Sequence, residues 1–89
     1  MKTLIQLFSP LPHVIQQRFY HQAVDLQNQL EHGVDYHQLG GVQLKVCDQL
    51  VRFKFGNYRL IFQKTNNGLE PICLVARKNL NTWLKRRCN

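Results

Sequence analysis

Val51, Phe53 and Phe55 alternate with Arg52 and Lys54, and Tyr58, Leu60 and Phe62 alternate with Arg59 and Ile61, across a central Gly56-Asn57. Such alternation is the pattern of half-buried strands, and Gly-Asn between two of them is a two-residue hairpin signal. Taking Gly56-Asn57 as the loop fixes the register: Phe55 faces Tyr58, Lys54 faces Arg59, Phe53 faces Leu60, Arg52 faces Ile61 and Val51 faces Phe62. Side chains alternate across a strand, so Val51, Phe53, Phe55, Tyr58, Leu60 and Phe62 share a core face, while Arg52, Lys54 and Arg59 share the opposite one. Like charges directly opposite each other disfavour a sheet, and no acidic residue between Gln49 and Lys64 relieves them. An anion would: a phosphate pairs with both charges and suits the bidentate geometry of arginine. The alternative is a solvated face whose long side chains splay apart. Lying opposite the core, Arg59 is expected to matter little for folding, its truncation to Ala changing stability by no more than about 0.5 kcal/mol.

The charge of the whole chain favours the anion. The net charge is +7 over 89 residues. Residues 1–44 carry Lys2 and Arg18 against Asp25, Glu31 and Asp35, a net −1, whereas residues 45–89 carry ten Lys and Arg against Asp48 and Glu70, a net +8. A surface charged only for solubility is mixed in sign along the chain; one basic half is what meets a polyanion. Other chemistries lack their residues. His13, His21, His32 and His37 have no zinc-like spacing, and Cys47, Cys73 and Cys88 form no CxxC pair and, being odd in number, no disulfide framework. No metal site and no cofactor is expected. There is no Gly-rich phosphate loop and no GxSxG. The basic half has only Asp48 and Glu70 as acids, so any catalysis must run on cations.

Elements must position these cations. Eighty-nine residues suit one domain, spanning 1–89, and nothing approaches the ~18 apolar residues of a membrane span. Met1–Phe8 is too short for a signal peptide's apolar region and reads as a first β-strand, so a cytoplasmic location without membrane association is expected. Ser9 can cap a helix with Pro10 at its first position. Ile15, Phe19, Ala23, Leu26 and Leu30 then form one stripe running to about His32, and Gly33 is a natural stop. A connector follows, with a short extended piece at Val42–Val46. Strands are expected at Gln49–Phe55, Tyr58–Lys64 and Glu70–Ala76, the last apolar enough to be buried on both faces, with Cys73 as a small core residue. A short helix closes the chain, with Leu80, Trp83 and Leu84 inward and Lys85, Arg86 and Arg87 in its last turn. The class is α+β: strand and long helix on an antiparallel meander, then a short C-terminal helix. Trp83 is either a core anchor or a stacking surface for a base. Lys85, Arg86 and Arg87 are either a solvated helix end or contacts to a nucleic-acid backbone.

Gly56-Asn57-Tyr58-Arg59-Leu60-Ile61-Phe62 resembles the strand signature of the RelE/ParE toxins, in which an aromatic-Arg-apolar-apolar-aromatic strand follows a basic strand and a tight turn. Val75-Ala76-Arg77-Lys78-Asn79 resembles the same family's last-strand ending. The likeness is good over residues 49–83; residues 1–33 match in element order only. Carried over by position, Arg52 and Lys54 match the basic strand, Arg59 the central arginine and Arg77 the distal one. Trp83 stands where RNA-cleaving members often carry a tyrosine, and an indole has no hydroxyl with which to exchange a proton.

The resemblance implies the toxin of a toxin–antitoxin pair, with an antitoxin protein as partner. Its leading form is a ribosome-dependent mRNA endonuclease that inhibits translation without metal. Arg59 and Arg77 would clamp the phosphate, Arg52 would hold the backbone, Lys54 would accept a proton and Trp83 would stack on a base. Two other readings fit the same fold: a ParE-like inhibitor of DNA gyrase, and a non-catalytic RNA-binding or regulatory module. The counting argument by itself supports only Arg52, Lys54 and Arg59.

Overall fold

Gly56 sits at φ 58°, and no non-glycine among the described residues has a positive φ. Only the first loop position is therefore left-handed, the pattern of a type II′ hairpin turn. Glycine is required there for a second reason: a Cβ would lie 2.8 Å from Cζ of Phe19. The computed structural model describes residues 3–87, and in it this turn joins β2 (Leu50–Phe55) to β3 (Tyr58–Thr65). The register is the one counted from the sequence, with Phe55 opposite Tyr58, Lys54 opposite Arg59 and Arg52 opposite Ile61. β4 (Gly68–Ala76) pairs with β3 and the two-residue β1 (Val42–Gln43) with β2, giving an antiparallel sheet in the order β1-β2-β3-β4.

One face of this sheet carries the main core. Val51, Phe53, Phe55, Leu60 and Phe62 pack with Phe19, Ala23 and Leu26 of the helix α2 (His13–Glu31), and Ile15 and Leu30 of the same stripe pack beside them. The ring of Phe19 meets Phe55 edge-on at 5.8 Å, and Phe53 meets Phe62 at 5.3 Å. Each such fully buried side chain contributes roughly 1.5–3 kcal/mol. The helix runs unbroken to its cap at His32, whose N–H donates to the Asn28 carbonyl, and Gly33 follows at φ 87°. The opposite face holds a second cluster of Leu44, Leu50, Ile61 and Leu84. A single 3-10 turn at Arg77–Asn79 turns the chain from β4 into α3 (Leu80–Arg87), which lays Leu84 on this face with Leu80 and Trp83 beside it. The class is α+β, as the sequence indicates.

Three local expectations are corrected. The N-terminal segment is a helix, α1 (Leu4–Phe8), and not a strand. Thr3 Oγ1 accepts the Gln6 N–H at 3.2 Å while Gln6 Oε1 accepts the Thr3 N–H at 3.0 Å, a reciprocal capping box. Leu4, Leu7 and Phe8, at helical spacing, are the residues it buries. Ser9 ends that helix instead of starting the next, donating its N–H to the Ile5 carbonyl, and Pro12 takes the cap position of α2. Finally, β4 is an edge strand and only half-buried over most of its length, Cys73 included. Pro71, beside the register shift after Ile61, belongs at such an edge because proline cannot donate to a ladder. Residues 1–2 and Cys88 lie outside the described residues. No described helix is long and apolar enough to cross a membrane.

Candidate nucleic-acid interface

Among the described residues Arg59 is the one charged residue that is buried, with 6% of its surface exposed. Its side chain folds back over the hairpin turn, Nη1 donating to the carbonyls of Gly56 and Tyr58, each at 2.9 Å. The type II′ turn that sets the register thus also supplies the acceptors that pin the arginine. Nε and Nη2 make no hydrogen bond, yet no described side-chain nitrogen shut off from solvent lacks a partner. That edge of the guanidinium therefore reaches the surface with its donors unused. Arg59 is not the loosely held, dispensable side chain expected from its face alone, because it is buried and folds back onto its own turn.

No anion compensates this charge. Among the described residues the sole side-chain ion pair joins Asp35 to His37, in the connector. Burial, followed by the positive charges of Arg52 and Arg77, pushes the Arg59 pKa below the ordinary arginine value; a guanidinium nonetheless stays protonated in a protein. The same three residues show the convergence: Arg52 comes from β2, Arg59 from β3, and Arg77 from the turn after β4. The backbone fixes Arg77 there, its N–H donating to the Asn57 carbonyl at 2.8 Å and tying the end of β4 to the hairpin loop. Arg52 is half-buried, and Lys54 and Arg77 are exposed. Lys54 stands directly across the ladder from Arg59, at the same end of the sheet. A buried cation with free donors, flanked by two more and by no acid, is arranged to hold an oxyanion.

Other candidates lie apart from this cluster. Arg87 donates through Nη2 to Gln63 Oε1 at 3.1 Å. Because Gln63 is four residues beyond Arg59 on β3, the last turn of α3 sits about 13 Å along the strand from the cluster. Lys85, Arg86 and Arg87 are exposed there. Trp83 is half-buried against the second core, with the Arg87 guanidinium 5.6 Å from its ring centroid. All four histidines are exposed, and no group of metal-ligating side chains forms among the described residues. Sequence reasoning missed the turn carbonyls that pin Arg59. It also missed a cavity of about 450 Å³ beside Arg77, lined by Ile15, Asn57, Tyr58, Ala76 and Lys78; Lys78 next to Arg77 was the available signal.

Fold and site together define a small, basic α+β domain that presents a clustered, uncompensated set of arginines at one end of an antiparallel sheet. Residues 17–82 match the ParE-like toxin domain family, and the chain belongs to that family. It is thus a toxin of the toxin–antitoxin type, for which an antitoxin partner is implied. Neither a curated protein nor a solved structure matches the chain.

Proposed function

We propose that this toxin grips RNA through a phosphate held at Arg59, Arg52 and Arg77, and that it stops translation in the cytoplasm by metal-independent cleavage of mRNA on the ribosome. The observation that carries this reading is Arg59 itself, buried, pinned and unpaired, with the positive charges of Arg52 and Arg77 acting on it. Cations suffice for such a reaction because RNA contains its own nucleophile. The 2′-oxygen attacks the adjacent phosphorus as its proton passes to the Lys54 amine, the bond to the 5′-oxygen breaks, and a 2′,3′-cyclic phosphate is left while water protonates the departing oxygen. Arg59 and Arg77 stabilise the charge that grows on the phosphate, and Arg52 holds the backbone. Lys85, Arg86 and Arg87 bind the flanking strand, and Trp83 offers its outer edge to a base.

One observation favours a second reading. The matching family is ParE-like, and Trp83 provides no hydroxyl, which suits a non-nucleolytic inhibitor that uses the same cations against DNA gyrase. The two separate in one experiment. Translated messages are mapped for new ends, and plasmid DNA is assayed for gyrase-dependent breaks, after expression of the parent and of Arg77→Gln. Message cleavage lost in Arg77→Gln supports the ribonuclease; gyrase-dependent breaks with intact messages overturn it. RNA binding with neither outcome leaves a non-catalytic RNA-binding module.

A further inference from the structure

We propose that the cavity beside Arg77 is a nucleobase pocket, in which Asn57 reads the edge of a base whose phosphate sits on the arginine cluster. This rests on the reading of that cluster as a phosphate site. The cavity is built from three elements: Ile15 from α2, Asn57 and Tyr58 from the hairpin, and Ala76, Arg77 and Lys78 from the end of β4 and the turn after it. Its walls are held together, because the Arg77 N–H donates to the Asn57 carbonyl. Its volume of about 450 Å³ falls within the range of small-ligand sites.

The lining selects the occupant. Ile15, Ala76 and the ring of Tyr58 offer apolar surface to the face of a flat ring. Asn57 has both a donor and an acceptor on its amide, the complement of a base edge. Arg77 and Lys78 add positive charge at the same opening. A simple phosphate leaves the apolar walls unused, and an aliphatic chain leaves the amide and the cations unused. A heteroaromatic ring joined to a phosphate uses all of them. Arg77 belongs both to this cavity and to the charges around Arg59, so a single nucleotide bridges the two places around the end of the sheet.

The test uses the full chain and short single-stranded RNAs: one homopolymer of each base, and an abasic RNA with the same number of phosphates, titrated at several salt concentrations. Abasic RNA is expected to bind roughly tenfold more weakly than the best homopolymer, the size of one base–aromatic stack, with the same salt dependence. Asn57→Ser, which keeps a turn-compatible residue, is expected to flatten the preference among bases without changing the salt dependence. Ile15→Trp fills the cavity from α2 and is expected to bring intact RNA down to the affinity of the abasic strand. Equal binding of abasic and intact RNA, with steep salt dependence, would overturn the base pocket while the phosphate site stands. Base preference unchanged in Asn57→Ser also overturns it, even where Ile15→Trp fails to fold. The absence of salt-dependent binding to any of these RNAs removes the phosphate site, and the pocket with it.

Discussion

Arg59→Ala is expected to cost stability as well as activity, and the size of the loss can be worked from its surroundings. Truncation removes two charge-assisted hydrogen bonds to the Gly56 and Tyr58 carbonyls. Such bonds contribute about 1.5–3 kcal/mol each when the acceptor is left dry. Both acceptors are only partly buried, so water recovers most of that. Two methylenes leave a side chain that is 6% exposed, a further loss of about 1.6 kcal/mol. Against this stands the relief of a desolvated cation pressed by Arg52 and Arg77. The balance is a destabilisation of about 2 kcal/mol, which for a domain of this size lowers Tm by roughly 10 °C. Thermal unfolding by circular dichroism, at low and at moderate salt, measures it. Salt screens the repulsion in the parent, so the gap between parent and variant should widen as salt is added. A variant as stable as the parent, or more so, would refute the claim that the turn carbonyls hold the guanidinium in place.

Leu60→Ala, at a fully buried core position, should cost roughly 2–5 kcal/mol by the same assay while leaving the arginine cluster's chemistry untouched in whatever fraction stays folded. Gly56→Ala meets both a left-handed φ and the Phe19 ring; a loss above about 1 kcal/mol is expected, and a neutral result would contradict the turn. Thr3→Ala breaks the capping box and should lower stability by about 1 kcal/mol, with toxicity unchanged in growth assays. Expression of the chain without an antitoxin should slow growth, and Arg87→Gln, expressed separately, should slow it less, because one contact to the flanking strand is lost while the cluster at the other end of the sheet is kept; normal growth with soluble, folded parent protein would count against the toxin activity.

The hairpin is legible in the sequence because its signals agree: Gly56-Asn57 as a two-residue turn fixes one register, and the alternation on either side of it fits that register. The α2 stripe is equally plain, since Phe19, Ala23 and Leu26 keep helical spacing over about two turns. The first helix is hard to tell from a strand because Leu4-Ile5-Gln6-Leu7-Phe8 is short and mostly apolar, a run whose period is ambiguous; the decisive cue is local, Thr3 three residues before Gln6. Apolar composition likewise placed β4 in the interior, although Pro71 marked it as an edge. Most consequential for function, alternation assigns Arg59 to a face but cannot say what covers that face. Alternation also does not reveal that the side chain curls back over its own turn and is buried there. Arg77 came from family resemblance alone; the sequence does not show that an Asn57–Arg77 backbone hydrogen bond brings it to the hairpin.

The most direct test of the central claim is the affinity of the purified chain for single-stranded RNA as a function of salt, compared between the parent and Arg52→Gln/Arg77→Gln. Both positions keep solvent contact, so the double variant should fold. The parent is expected to lose affinity steeply as salt rises, and the variant to show a slope smaller by about 1.4, the release of two counterions from a single strand. Affinity independent of salt in the parent, or an unchanged slope in the variant, would contradict the account.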